Sequence, residues 1–474
     1  MQRGIIKPRS GRNTKRITMS KLISQDTIVA IATPQGQGAI GVIRLSGDQT
    51  FNILKEIAPS KNWNELASHT IHLAHIKRDG ILLDEALFAL FKNPRSYTGE
   101  DVAEISCHGS PFILQQVVQL ILAKGARLAK AGEFTQRAFL RGRMDLAQAE
   151  AVADLIASET EASHRIAMNQ MRGGFSNEIK ELRVQLINFA SLIELELDFS
   201  EEDVEFANRD QLRALINSIR LTIEQLIKSF DLGHVIKNGV PTVIVGKPNA
   251  GKSTLLNKLL HEEKAIVSEI AGTTRDLIED EMTLDGIAFR FIDTAGLRET
   301  VDKVEAIGVQ RTRDKMKQAS LIIYLFDVTT TKEKELIADL EELKGLDTPY
   351  LVVGNKADTT EKYAEKFNNF NGILFISAKK ELGLEELKTR LLHMVNYEQL
   401  GSNQTLVTNA RHYECLVNTR TALAGAAKGM DEQISGDLLA QDIRQALFHL
   451  GSITGEVSAD DLLGNIFSKF CIGK

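Results

Sequence analysis

The stretch "GKPNAGKST", Gly246 to Thr254, fits G-x-x-x-x-G-K-[ST]. Glycines in such a loop let backbone N–H groups turn inward around phosphate oxygens. Asn249, Ala250 and Gly251 form that cradle. Lys252 brings a cation to the β- and γ-phosphates. Ser253 offers a hydroxyl to Mg²⁺, and Thr254 follows it in the first helical turn. A helix beginning there adds its N-terminal dipole to anion binding. "PTVIV" before the loop reads as a buried strand and "LLNKLL" after it as a helix, the setting the motif needs.

Three further stretches extend the site. "DTAG" supplies Asp293, Thr294, Ala295 and Gly296; the Asp holds Mg²⁺ through water and Gly296 lets an N–H approach the γ-phosphate. "GTTRD" begins at Gly272 and offers Thr273 and Thr274, the latter as second hydroxyl ligand of Mg²⁺. "NKAD" carries Asn355, Lys356 and Asp358. A carboxylate there accepts from both the ring N–H and the amine of guanine; adenine would leave it desolvated and unpaired. "SAK", Ser377, Ala378 and Lys379, completes the base pocket. In this order the four stretches select GTP over ATP.

One usual part is absent. Small Ras-like GTPases follow DTAG with a Gln that orients water; here the next residue is Leu297. Glu299, Asp302 and Glu305 are the nearby acids that can replace it, and a solvated switch segment is the plain reading of each alone. Arg275 and Arg298 lie in the switch segments, but neither is assigned as an arginine finger. A monovalent cation can supply the missing charge, with Asn249 as a neutral oxygen ligand and backbone carbonyls before GTTRD closing the cage.

The elements that position these groups change texture along the chain. The chain has 474 residues, which at roughly 150 per domain predicts about three domains. The expected fold is multidomain α+β and α/β. Residues 1–20 form a basic extension with no acid, fitting a disordered arm, a transit peptide or a start codon placed ahead of Met19. Residues 21–139 alternate short strand runs with glycines, an α+β domain. Residues 140–236 are helical: Leu146, Ala149, Val152, Ala153 and Ile156 recur with helical period, and Ile179, Leu182, Leu186, Phe189, Ile193 and Leu197 form a second apolar face. Residues 237–397 alternate strand and helix, an inserted P-loop α/β G domain. Residues 398–474 return to helix and end "CIGK". Cys107, Cys415 and Cys471 stand far apart, which fits neither a disulfide framework nor a zinc site. The net charge of -6 announces no global affinity for nucleic acid. No apolar run reaches the roughly 18 residues of a membrane span.

Taken together, "DTIVAIATP", "GVIRLSG", "YTGEDVAEISCHGSP", "GEFTQRAFLRGRMDLAQAEAVADLI", "GKPNAGKSTLLN", "IAGTTRD", "DTAGLRE", "VEAIGVQRT", "TNARH" and the final "CIGK" closely resemble the MnmE (TrmE) family of tRNA-modification GTPases. The match runs over essentially the whole chain after residue 20. The resemblance implies a homodimer joined through tetrahydrofolate-binding N-terminal domains, and a helical domain interrupted by a G domain. It implies K⁺-activated GTP hydrolysis. It also implies a heterotetramer with the FAD-dependent MnmG (GidA). That pair would install an aminomethyl or carboxymethylaminomethyl group on C5 of the wobble uridine (U34) of certain tRNAs. Binding of 5-formyltetrahydrofolate and a 5,10-methylenetetrahydrofolate one-carbon donor are implied too. Carried onto this chain, the family pattern places K⁺ on Asn249, Ser268, Ile270 and Thr273, and Mg²⁺ on Ser253 and Thr274. Glu305 takes the water-orienting role. Folate falls on Arg44, Glu104, Arg143 and Lys474, with Cys471 beside the one-carbon unit. Arg pairs a carboxylate bidentately and Glu accepts from a pterin amide and amine. Position 143 is Arg where the family pattern has Lys, and Ser268 stands where Thr is usual. The resemblance places the chain in the bacterial cytoplasm; a transit-peptide reading of residues 1–20 would place it in the mitochondrion. The competing function is a GTP-switched binding module, such as a ribosome-assembly GTPase.

Overall fold

The computed structural model describes residues 26–198, 209–262, 280–292, 316, 318–346, 348–359, 363–395, 405–432, 436–457, 460–468, 470, 471 and 473. The extension 1–20, Ser268, Ile270, Gly272, Thr273, Thr274, Asp293, Thr294, Ala295, Gly296, Glu299, Asp302, Glu305 and Lys474 lie outside these residues. The chain divides into two compact units, Met1–Asp145 with Ala459–Lys474, and Leu146–Ser458.

The first unit is an α+β sheet domain. Its elements are β1 (Ile28–Ile31), β2 (Ile40–Ser46), α1 (Thr50–Ile57), β3 (Thr70–Arg78), β4 (Ile81–Phe91), β5 (Val102–His108), α2 (Pro111–Ala123), β6 (Arg127–Leu128) and α3 (Glu133–Leu140). The strands form one sheet in the order β3-β4-β5-β2-β1-β6, antiparallel except for β1 with β6. Period-two patterning sets the faces. On β5, Ala103, Ile105 and Cys107 are buried while Glu104, Ser106 and His108 point the other way. Phe51, Leu54, Val117 and Ile121 of α1 and α2 close the core over Val29, Ile43, Leu45 and Phe88. Phe134 of α3 covers the second face at its β1 end, with Ile28 and Ala30. At the other end that face is open: Ile71, Leu73 and Leu87 are exposed. Register places Ile71 opposite Ala89, Ala89 opposite Glu104, and Glu104 opposite Arg44.

The C-terminal helix, Asp460–Ser468, packs on this unit. Phe467 meets Phe139 with ring centroids 6.4 Å apart. Gly132, at φ +65°, lies so close that a Cβ there would stand 2.6 Å from the Phe467 carbonyl oxygen.

The second unit carries a helical bundle and an α/β sheet. Helices α4 (Leu146–Ala157), α5 (Glu161–Met171), α6 (Gly174–Asp198), α7 (Arg209–Lys228) and α8 (Phe230–Asn238) precede the sheet. Then come β7 (Val240–Val245), α9 (Lys252–Glu262), β8 (Asp280–Leu284), β9 (Ile287–Phe291), β10 (Leu321–Asp327), α10 (Glu333–Lys344), β11 (Tyr350–Asn355), α11 (Tyr363–Lys366), β12 (Leu374–Phe375) and α12 (Leu384–Met394). Helices α13 (Ala410–Asp431) and α14 (Gly436–Thr454) return to the bundle. The predicted α6 face is buried at Ile179, Leu182, Leu186, Phe189 and Ile193, against Leu212, Ile216, Ile219 and Ile223 of α7 and Leu423, Ile443 and Leu450 of α13 and α14. The sheet order is β12-β11-β10-β7-β9-β8, parallel except for the β8–β9 hairpin. All seven residues of β10 are buried, as a central strand covered on both faces requires.

The two chain crossings between bundle and sheet are tied to each other. The Ser229 hydroxyl accepts from the Val407 N–H at 3.1 Å. The Gln170 amide donates to the Leu406 carbonyl at 3.0 Å and to the Thr408 hydroxyl at 3.2 Å.

Candidate guanine-nucleotide site and C-terminal notch

Strand β7 ends where the phosphate loop begins, and Lys252 opens α9. The loop requires its glycines. Gly246 has φ +145°, and a Cβ there would stand 1.9 Å from the Leu325 carbonyl oxygen; Gly251 has φ +97°, and a Cβ would stand 2.3 Å from the Asn355 amide nitrogen. Asn249 also takes a left-handed φ of +63°, a geometry Asn tolerates better than most residues. Lys252 turns its ammonium into the loop, donating to the Gly246 carbonyl at 2.8 Å and the Lys247 carbonyl at 2.9 Å. Burial pushes its pKa below the ordinary lysine value. This ammonium therefore gains when anionic oxygens come within reach.

The base pocket is welded to the phosphate loop by one side chain. Asn355 ends β11 and is buried. Its amide donates to the Ala250 carbonyl at 2.8 Å, and its carbonyl accepts from the Ala378 N–H at 3.0 Å. Sequence reading placed Asn355 among the base contacts; the structure shows it holding three motifs in register. Ala357 N–H donates to the Ile376 carbonyl at 3.0 Å, joining NKAD to SAK again. Asp358 is held below the usual carboxylate range by the Ser377 hydroxyl and then by Lys380, whose ammonium is 3.5 Å away. It stays ionised as an acceptor for paired N–H donors. Ser377 and Ala378 are buried, while Lys379 and Thr254 are exposed. Asp327 was missed by motif reading. It accepts from the Lys356 ammonium at 2.6 Å.

The first unit holds the other residues of interest. The Arg44 guanidinium pairs with Glu104 through Nε at 2.9 Å and a terminal nitrogen at 2.7 Å. Its other terminal nitrogen donates to the carbonyl of Gly473 at 3.1 Å. The guanidinium carbon lies 5.6 Å from the Tyr97 ring centroid and 5.7 Å from that of Phe134. The chain end is thus laid on the Arg44–Glu104 pair. Gly473, at φ +100°, is pressed against β1, where a Cβ would stand 2.6 Å from the Ile31 carbonyl oxygen. Cys471 is exposed, and its carbonyl accepts from the Gly132 N–H at 3.4 Å. Arg143 is exposed beside Gly99.

An ionic network that motif reading overlooked, with Glu100, Glu133 and Arg137 buried, belongs to the same unit. Arg137 pairs with Asp26 at 2.7 Å, with Glu100 at 3.1 Å and with Glu133 at 3.1 Å. Arg127 binds Glu133 at 2.5 Å and also Asp26. Arg141 binds Glu100 at 2.8 Å. Burial alone would raise the Glu133 pKa, but Arg127, the Lys130 N–H and Arg137 outweigh it and hold the carboxyl below its ordinary value. The network fixes α3, which carries Phe134, against the loop that carries Tyr97. "YTGED" and "GEFTQR" contain Glu100, Glu133 and Arg137, but Arg137 reaches Glu100 across 37 positions and Asp26 across 111.

A phosphate loop clamped to a guanine-reading pocket on a mostly parallel sheet defines a P-loop GTPase. The family model described as "GTP-binding protein TrmE N-terminus" matches residues 27–143, and "MnmE helical domain" matches residues 146–471. Among curated proteins called tRNA modification GTPase MnmE, the chain is 66% identical to one from Cytophaga hutchinsonii, covering 95% of this chain and 98% of that protein. It is 55% identical to one from Flavobacterium johnsoniae, with 96% and 100% covered. It is 50% identical to one from Bacteroides fragilis, with 95% and 100% covered. Among solved structures, the FeoB G-domain of Methanococcus jannaschii aligns over 33% of this chain and 98% of that chain, at 23% identity and TM-score 0.25. The chain belongs to the MnmE (TrmE) family.

Proposed function

We propose that the chain is the K⁺-activated GTP hydrolase of a wobble-uridine modification complex. Its partner is an FAD-dependent protein of the MnmG (GidA) type, forming a heterotetramer. Together they place an aminomethyl or carboxymethylaminomethyl group on C5 of U34 in certain tRNAs, using a folate one-carbon donor, in the bacterial cytoplasm. The observation that carries this reading is the chain end laid on Arg44–Glu104. A plain nucleotide switch has no need of a second, built site at its far terminus.

The residues fit their parts. Asp358 accepts from guanine, and Asn355 keeps that pocket in register with the phosphate loop. Lys252 gathers phosphate charge. Ser253, in the first turn of α9, would hold Mg²⁺ with Thr274; a metal there neutralises charge on the β- and γ-oxygens. The left-handed Asn249 would hold K⁺ with Ser268, Ile270 and Thr273, and that ion would supply the charge an arginine finger supplies elsewhere. Glu305 orients water in place of the missing Gln. Among the described residues no helix is long and apolar enough to cross a membrane, and no group of three His, Cys, Asp or Glu is arranged to hold a metal. The proposed Mg²⁺ and K⁺ sites would draw on hydroxyl, amide, backbone carbonyl and phosphate oxygens.

For folate, Arg44 and Glu104 offer a cation and an acceptor, and the half-buried Tyr97 ring, 5.6 Å from the guanidinium carbon, offers a face to a flat pterin. Arg143 and Lys474 would meet its carboxylates, and Cys471 would stand beside the one-carbon unit. The exposed Ile71, Leu73 and Leu87 lie on the same sheet face as Arg44 and Glu104. Burying such side chains against a second copy contributes about 2 kcal/mol each, so the face fits a homodimer with the folate site at its margin. Calorimetric titration of 5-formyltetrahydrofolate into the full chain and into a chain ending at Phe470 tests the reading. Binding that weakens clearly on truncation is expected. A folded, GTP-hydrolysing chain that binds no folate in either form would favour the switch-module function instead.

A further inference from the structure

Asp327 is the last residue of β10 and is buried. Its two oxygens have different partners. One accepts from the Thr329 N–H at 2.9 Å and the Thr329 hydroxyl at 2.6 Å. That alone is an ordinary turn cap. The other oxygen accepts from the Lys356 ammonium at 2.6 Å, across strands. Register places Asp327 directly opposite Asn355, the clamp of the phosphate loop. Lys356 itself has φ +66°, so its backbone is already committed to an unusual conformation between Asn355 and Asp358.

We infer that Asp327 is a positioning residue of the guanine site: it pins the Lys356 ammonium so that the lysine's four-carbon stem forms a fixed apolar wall of the base pocket. An unpinned lysine stem samples many rotamers and must be ordered by each nucleotide that binds. The pinned stem is ordered in advance. A wall contacts every purine ring alike, so Asp327 sets affinity and residence time. Discrimination for the guanine amine stays with Asp358. The inference rests on the guanine-nucleotide reading of this pocket and not on the tRNA or folate reading.

The test is a double-mutant cycle on the full chain, measuring affinity and dissociation rate for GDP and IDP. Asp327→Asn is expected to weaken both about tenfold, the scale of one charge-assisted hydrogen bond, leaving the GDP-to-IDP ratio unchanged. In a Lys356→Met background, which keeps an apolar stem but no ammonium, Asp327→Asn is expected to add less than about twofold. Thr329→Val, which removes one hydroxyl from the same carboxylate, should act in the same direction but more weakly, again only when Lys356 is present. It decides the question if Asp327→Asn does not fold. Unchanged affinity, or equal losses in both backgrounds, would overturn the inference. Asp358→Asn is the control: if it leaves the GDP-to-IDP ratio intact, the base-pocket reading itself has failed and the inference falls with it.

Discussion

Asp358 and Lys252, proposed to read the base and gather phosphate charge, have opposite electrostatics. Asp358 is stabilised as an anion by Ser377 and Lys380, whereas Lys252 is a partly desolvated cation. Asp358→Asn keeps one acceptor oxygen for the ring N–H but sets an NH2 donor against the guanine amine. GTP affinity should fall by about two orders of magnitude, and xanthosine triphosphate, with a carbonyl in place of the amine, should become the better ligand; competition against a fluorescent nucleotide reads both. The cysteines separate by environment. Burial, and then the Asp84 carboxylate, push the Cys107 thiol up to about 12, and burial raises Cys415 as well. Cys471 is exposed. Iodoacetamide at neutral pH should therefore alkylate Cys471 first in the native protein, with Cys107 modified only after unfolding, as peptide mass spectrometry would show. The phosphate loop, NKAD and SAK were legible in the sequence because their chemistry requires contiguous residues. The Asn355–Ala250 bond spans 105 positions and the Arg44–Gly473 bond 429. Pairings at such separations leave no local pattern.

Helix α4 illustrates the same limit for an element. Its apolar period is genuine, yet Ile156 is 48% exposed while Glu150 is buried. The reason lies on α13. Arg411 grips Glu150 at 3.0 and 2.8 Å, and His412 reaches it through Nε2 at 2.7 Å. Arg411 also donates to the carbonyls of Ser452 and Ile453 near the end of α14. Burial would raise the Glu150 pKa, but His412 and Arg411 outweigh it and hold the carboxyl down to about 2. Burial pushes His412 below its ordinary value, so it sits neutral and donates its Nε2 proton. Both groups have depressed pKa values in the fold, so their stabilisation is present above their unfolded values. His412 begins to lose it as pH falls below 6.5, and Glu150 between 4.5 and about 2. Glu150→Gln should cost about 3 kcal/mol at pH 7 by leaving Arg411 buried without its counter-charge. It should also flatten the acid side of the stability profile, as urea unfolding at several pH values would measure. The α6 face, by contrast, was legible, since five apolar residues at helical spacing have no other use.

At the scale of the whole molecule, one chain holds a guanine-nucleotide pocket in one compact unit and the docked chain end in the other. Family membership accounts for both: the matched regions run from residue 27 to residue 471, across both units. The phosphate loop by itself describes any P-loop GTPase. In the function proposed above, GTP hydrolysis serves uridine modification. The most direct test is nucleoside mass spectrometry of tRNA from a bacterium lacking its own such protein, complemented with this chain or with its Lys252→Ala variant at equal abundance. The chain is expected to restore the C5-modified wobble uridine and Lys252→Ala is expected not to. A chain that folds, hydrolyses GTP and leaves the uridine unmodified would contradict the proposed function, as would full restoration by Lys252→Ala.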